Sequence, residues 1–162
     1  MKIKTLFASI ALALTVSACG GSDDPTGPVD PGPPPALPAG AQIVTTGTGL
    51  QYADFNVGTG TAAANSNRVR VHYTGWLAAN NKFFDTSSGG APLEFILGSQ
   101  GILAGFQQGI VGMQPGGKRR LIIPPALGYG SQAVTDQRTG EVIIPANSTL
   151  IFDVTLVTVS PN

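Results

Sequence analysis

The 162 residues suffice for one domain of ordinary size, about 100–200 residues, and nine basic against nine acidic groups give a formal net charge of zero. Charged residues make up only 11 % of the chain, and its one basic cluster, Lys118-Arg119-Arg120, lacks the breadth of a nucleic-acid surface; at the head of an apolar run it reads as a solvated strand end. Cys19 is the sole cysteine, which excludes a disulfide within the chain and leaves the rest of it no thiol for catalysis or metal binding.

Residues 1–18 read as an export signal: Lys2 and Lys4, an apolar stretch from Leu6 to Val16, then the small residues Ser17-Ala18. The apolar stretch is shorter than the roughly 20 residues of a membrane span. Val16-Ser17-Ala18-Cys19 resembles a bacterial lipobox, which implies that Cys19 becomes the lipidated N-terminus; the plainer alternative is a small apolar residue beside an ordinary cleavage site. Lipoproteins of this type carry more than one acyl chain, enough for stable anchoring. Gly20, rather than Asp, after the cysteine implies the outer membrane, facing the periplasm. Residues 19–40 are dominated by Gly, Pro, Asp and Ala, with Pro33-Pro34-Pro35 in the middle and no hydrophobic period. They are expected to form a disordered linker, a semi-rigid spacer rising about 3.1 Å per residue where proline dominates. A ligand for a proline-recognition groove is the other reading.

From Ala41 onward, short alternating runs are separated by Gly-rich turns. Val69, Val71 and Tyr73 share one face of a predicted strand, and Arg68, Arg70 and His72 the other. Leu93, Phe95 and Leu97 repeat the pattern, as do Leu121 and Ile123, and then Leu150, Phe152, Val154 and Leu156. Such strands belong to an antiparallel sheet packed on one face. One helix is predicted, with Ser99 as its N-cap and Ile102, Phe106 and Ile110 along one stripe; Pro115-Gly116-Gly117 ends it. A single short helix against such a sheet is an α+β solution.

Along these elements lie Val71-His72-Tyr73-Thr74-Gly75, Phe84-Asp85-Thr86-Ser87, Gly105-Phe106-Gln107-Gln108-Gly109, Tyr129-Gly130 and Ile144-Pro145, followed by Leu150-Ile151-Phe152-Asp153-Val154. They bring aromatic and aliphatic groups to one pocket with no nucleophile, acid–base pair or metal cluster among them. A site of that kind suits binding, or a reaction that breaks no σ-bond. In order and spacing the segments, from about Gly49 to Val157, closely resemble the FKBP-type peptidyl-prolyl cis–trans isomerases. The resemblance implies a strongly twisted antiparallel β-sheet wrapped around one short α-helix over residues 41–162, and cofactor-free, metal-free rotation of X-Pro amides. It also implies the site. Phe106 is the floor of a prolyl pocket, Tyr73, Phe84, Ile102, Leu103 and Phe152 are walls, and Tyr129 is a rim hydroxyl for a substrate carbonyl. Asp85 accepts a hydrogen bond from Tyr73, the Leu103 N–H meets a second carbonyl, Leu93 and Phe95 border the substrate, and Ile143-Ile144 lines the loop side. The implied partners are proline-containing, unfolded or partly folded envelope proteins and macrolide ligands, with a membrane contact through lipidated Cys19 and no nucleic acid. The longer family members dimerise through an extra helical region for which the linker has no room, so a monomer is expected.

Taken singly, Phe84, Leu103 and Phe152 read equally as plain core, and Asp85 as the cap of the Thr86-Ser87 turn. His72, the only histidine, has no carboxylate at a readable spacing and reads as a locally hydrogen-bonded strand residue; Trp76 reads as packing at a strand end, outside the pocket. The chain departs from the family where Phe106 replaces a frequent tryptophan, where Leu93 replaces a frequent phenylalanine, and in a longer, more polar loop from Ser131 to Val142. These departures bear on ligand affinity, and they leave open a proline-segment-binding chaperone or adaptor without turnover.

Overall fold

The computed structural model describes residues 29–161. The signal, Cys19 and the first part of the linker lie outside the described residues.

Alternating sequence becomes strand where expected. The strands are β1 (Val44–Thr45), β2 (Gln51–Asn56), β3 (Arg68–Leu77), β4 (Phe83–Thr86), β5 (Leu93–Ile96), β6 (Lys118–Ile123), β7 (Val134–Thr135), β8 (Val142–Ile144) and β9 (Leu150–Ser160). Helix α1 spans Ala104–Ile110, and a single 3-10 turn covers Pro125–Leu127. Seven strands form one antiparallel sheet in the order β1-β2-β6-β9-β3-β4, with β5 sharing the outer edge of β3. β9 lies between β6 and β3 and pairs with β3 along the whole of that strand. The fold is α+β, with, among the described residues, a largely antiparallel sheet and one short α-helix on one face.

Parity sorts the core. Val69, Val71 and Tyr73 from β3, Leu121 and Ile123 from β6, and Phe152, Val154 and Leu156 from β9 point to the helix side and are buried there with Phe106 and Ile110. The helix can approach β6 closely because its strand-facing positions carry no side chain. A Cβ on Gly109 would stand 2.4 Å from Leu121 Cδ2, and one on Gly105 2.5 Å from Ile123 Cγ2.

Two local expectations are corrected. Helix α1 starts at Ala104 with Leu103 at the cap position and no side-chain cap, so Ser99 is not its N-cap and Ile102 lies ahead of it. The Gln107 side chain holds the preceding loop instead: Oε1 accepts from the Gly98 N–H at 2.6 Å, and Nε2 donates to the Ser99 and Ile102 carbonyls, both at 3.0 Å. Nor are Arg119 and Arg120 a solvated strand end, being only 9 % and 7 % exposed. Arg119 forks onto Asp54 (Nε to Oδ1 2.6 Å, Nη2 to Oδ2 3.0 Å) and donates from Nη1 to the Gly109 carbonyl at 3.0 Å, at the negative end of α1. Arg120 forks onto Asp153 on the neighbouring strand at 2.6 and 2.8 Å. Lys118 and Arg120 also flank the Phe55 ring, at 4.8 and 5.2 Å from its centroid. Across the polar loop from Ser131 to Val142, β7 and β8 pair as a small second sheet. Its turn is fastened by Asp136 Oδ1, which accepts from the Arg138 and Thr139 N–H groups.

Candidate functional site: an aromatic floor with two unlike tyrosines

Phe106 from α1, Tyr73 from β3 and Phe152 from β9 meet at the middle of the molecule. Their ring centroids are 5.2 Å apart for Phe106–Phe152, 5.8 Å for Tyr73–Phe106 and 6.0 Å for Tyr73–Phe152, all edge to face. In that geometry the positive ring edge meets the negative ring face, which adds directional attraction to burial. Phe84 from β4 continues the array against Phe152 at 5.5 Å, and Phe95 from β5 lies 6.2 Å from Phe106. Gly75 makes this packing possible: a Cβ there would stand 2.6 Å from Phe84 Cζ and 2.8 Å from Phe152 Cε1.

Around this floor stand half-buried groups that keep surface to offer a ligand: Phe84, Leu93, Ile102, Leu103, Tyr129 and Ile143. Ile144 is buried outright, its strand β8 paired to β7. Leu103 is extended (φ −54°, ψ 133°), and its N–H has no backbone acceptor among the described residues. Tyr129 follows the 3-10 turn. Both flanking glycine N–H groups bond to the Pro125 carbonyl (3.0 Å from Gly128, 2.9 Å from Gly130), and Gly130 adopts φ +60°, which L side chains rarely take. This turn fixes the Tyr129 backbone while leaving its hydroxyl without a protein partner among the described residues; the hydroxyl is not sealed from solvent.

Asp85 is the one carboxylate of the site. It accepts from the Tyr73 hydroxyl at 2.6 Å. Burial raises its carboxyl above the ordinary value, against the opposing pull of the Tyr73 hydrogen bond and the Thr86 amide. The same burial, with the hydrogen bond to Asp85 and its charge, holds the Tyr73 hydroxyl far above an ordinary phenol. Burial and the Asp85 charge push Tyr129 up to about 12. Both tyrosines are therefore neutral hydrogen-bond donors at physiological pH.

Ser87, given no role in the sequence analysis, ties the site's polar edge. Its hydroxyl accepts from the Tyr73 N–H at 2.9 Å and lies 3.2 Å from His72 Nδ1. The histidine is thus held locally, apart from the aromatic floor. No sequence spacing advertises Ser87; its partners lie across a strand pair. Trp76 stands on the sheet's opposite face, within β3, where its indole N–H donates to the Gly32 carbonyl at 2.6 Å.

An aromatic cluster, a solvent-reaching Tyr129 hydroxyl and the half-buried Asp85 carboxylate, with no nucleophile among them, suit an apolar ring flanked by carbonyl groups. The profile of the FKBP-type peptidyl-prolyl cis-trans isomerases matches residues 59–157, and the chain belongs to that family. FK506-binding protein 4 of Neurospora crassa is 47 % identical over 108 residues, 67 % of this chain and 21 % of that protein. The FKBP-type peptidyl-prolyl cis-trans isomerase FkpA of Escherichia coli is 39 % identical over 119 residues, 74 % of this chain and 41 % of FkpA. The chain thus spans well under half the length of these two curated relatives. Among solved structures, that of AtFKBP13 covers 74 % of this chain and 99 % of its own, at 35 % identity and a TM-score of 0.66. The FkpA crystal structure from Escherichia coli covers 74 % and 52 %, at 41 % identity and a TM-score of 0.61.

Proposed function

We propose that this protein accelerates cis–trans rotation about X-Pro amides in exported proteins. Resonance places a barrier of about 18–20 kcal/mol on peptide rotation, and X-Pro isomers exchange over roughly tens to hundreds of seconds at 25 °C. At the twisted transition state the amide loses resonance and its nitrogen becomes pyramidal. A catalyst need only hold the prolyl ring, strip water from the amide and bind the twisted form better than the planar ones. Each ~1.4 kcal/mol of preference is a tenfold rate. Phe106, Phe152 and Phe84 would take the ring, Tyr129 would donate to a substrate carbonyl and the Leu103 N–H to another. Asp85 would orient Tyr73.

The observation that carries this reading is the neutral Tyr129 hydroxyl, without a protein partner among the described residues and near enough to Asp85 to feel its charge. The Phe106 floor also supports the rival reading, a chaperone or adaptor that holds proline segments without turnover, since phenylalanine offers no indole N–H for ligand carbonyls. NMR exchange spectroscopy on a short X-Pro peptide, with wild type, Tyr129→Phe and Phe106→Ala, separates the two. Fast exchange that collapses in folded Phe106→Ala supports the isomerase. Background exchange with saturable peptide binding supports the holder.

The proposed setting is the bacterial envelope. A monomer tethered through lipidated Cys19 to the outer membrane would face periplasmic clients that are unfolded or partly folded, and the same pocket would accept macrolides. Cys19→Ser should move the protein from the membrane fraction to the soluble periplasmic fraction; persistence in the membrane fraction would refute the anchor.

A further inference from the structure

Trp76 poses a problem of placement. Its parity in β3 puts it with Arg68, Arg70, His72 and Thr74 on the sheet face away from the helix, where Arg68 and Arg70 are exposed. Yet Trp76 is only 3 % exposed. The proline-rich segment reaches it: the indole N–H donates to the Gly32 carbonyl, 44 residues earlier in the chain, at 2.6 Å. Gly32 and Pro34 are half-buried, while Pro31, Pro33 and Pro35 remain exposed along the same stretch. Those three prolines form one wall of an open cavity of about 410 Å³ whose other wall is the outer sheet face, including His72, Thr74 and Trp76.

We propose that this outer face is a second proline-segment-binding site, separate from the Phe106 cleft, and that its resident ligand is the chain's own residues 31–35. The chemistry fits such a ligand. Tryptophan offers a broad apolar face and one N–H donor, and a proline-rich strand offers compact apolar rings with carbonyl acceptors that no internal bond consumes. Because Pro carries no N–H, the carbonyls are the backbone groups such a segment has to offer, and the indole takes one.

Trp76 is the only tryptophan in the chain, so its indole signal in a ¹H–¹⁵N NMR spectrum reports on this groove alone. The test compares the full chain with a variant carrying Ser at positions 31, 33, 34 and 35, which alters no strand or helix. In the variant the indole signal should shift and its hydrogen exchange should quicken by at least tenfold. Adding a synthetic peptide of residues 29–38 should return the signal saturably to its wild-type position. The same peptide with serines for prolines should not, and wild type should bind the peptide at least tenfold more weakly than the variant. A variant whose indole signal stays at the wild-type position overturns the contact. An exposed indole that the peptide fails to move overturns the site, leaving only packing enforced by chain connectivity. Peptide shifts confined to the surroundings of Tyr129 would also overturn it, by assigning all proline recognition to the aromatic cleft.

Discussion

The hydroxyl of Tyr73 is committed to Asp85 at 2.6 Å, whereas that of Tyr129 has no protein partner among the described residues and keeps contact with solvent. The two substitutions to phenylalanine should therefore differ. Tyr129→Phe removes the hydrogen bond proposed to form only with substrate, worth about 0.5–1.5 kcal/mol net, and should lower kcat/KM roughly 2- to 10-fold with an unchanged urea midpoint. Tyr73→Phe should lower the midpoint as well, because Asp85 loses its buried partner. Asp85 itself gives a pH dependence with a definite sign. Its carboxyl lies above the ordinary 3.8 in the folded protein, chiefly through burial. The native state thus holds the proton more tightly than the unfolded chain, and this group's contribution to stability falls as pH rises through its folded value. Asp85→Asn keeps an oxygen to accept from Tyr73 and removes the titration. Relative to wild type it should gain stability as pH rises from below 3.8 to neutrality; urea unfolding across that range measures the difference, and a variant-minus-wild-type stability that stays constant or falls would contradict it.

At the scale of elements, helix α1 and strand β6 are matched by absence: Gly105 and Gly109 let the helix lie on Ile123 and Leu121. Gly109→Ala gains helix propensity of about 1 kcal/mol, but its Cβ meets the buried Leu121 at 2.4 Å. Overpacking of about 1–3 kcal/mol or more should outweigh the gain, and urea denaturation should show a net loss that Leu121→Ala partly relieves in the double variant. The Arg120–Asp153 pair spans the central strands β6 and β9. Arg120→Ala would strand a buried carboxylate, at about 3–5 kcal/mol, whereas replacing both partners by apolar residues of similar volume should be much milder; a double-variant denaturation series decides this. What the sequence could reveal divides along the same line. Strand faces were legible because alternation is local, and that Tyr73, Phe106 and Phe152 come together was implied by the family resemblance of their motifs. The arginine pairs were not, since Asp54 lies 65 residues from Arg119 and Asp153 lies 33 from Arg120. The Ser99 cap misled because a side chain from inside the helix, Gln107, secures the loop that a cap would have secured. The β7–β8 pairing was not legible because strands of two and three residues are too short to show an alternation that distinguishes them from loop.

Over the whole molecule, the centre of the core and the floor of the proposed site are the same side chains. Phe106 and Phe152 are 1 % exposed, and both carry the aromatic array. Phe152→Ala should cost about 3–5 kcal/mol of stability and lower peptide-exchange activity even under conditions where the protein remains folded; thermal melting beside NMR exchange would show whether the losses travel together. The order of the strands has a consequence in time rather than in space. β9 is the final strand of the sheet in sequence, yet it separates β6 from β3 and contributes Phe152. A chain emerging from its N-terminus therefore presents β3 and β6 as bare edges until residues near 160 appear, and loose edges are where strands from different chains find one another. Nearly all of this domain must be made before the two parts of its sheet can join, so a nascent chain stalled before Leu150 would have every strand but the one that joins them.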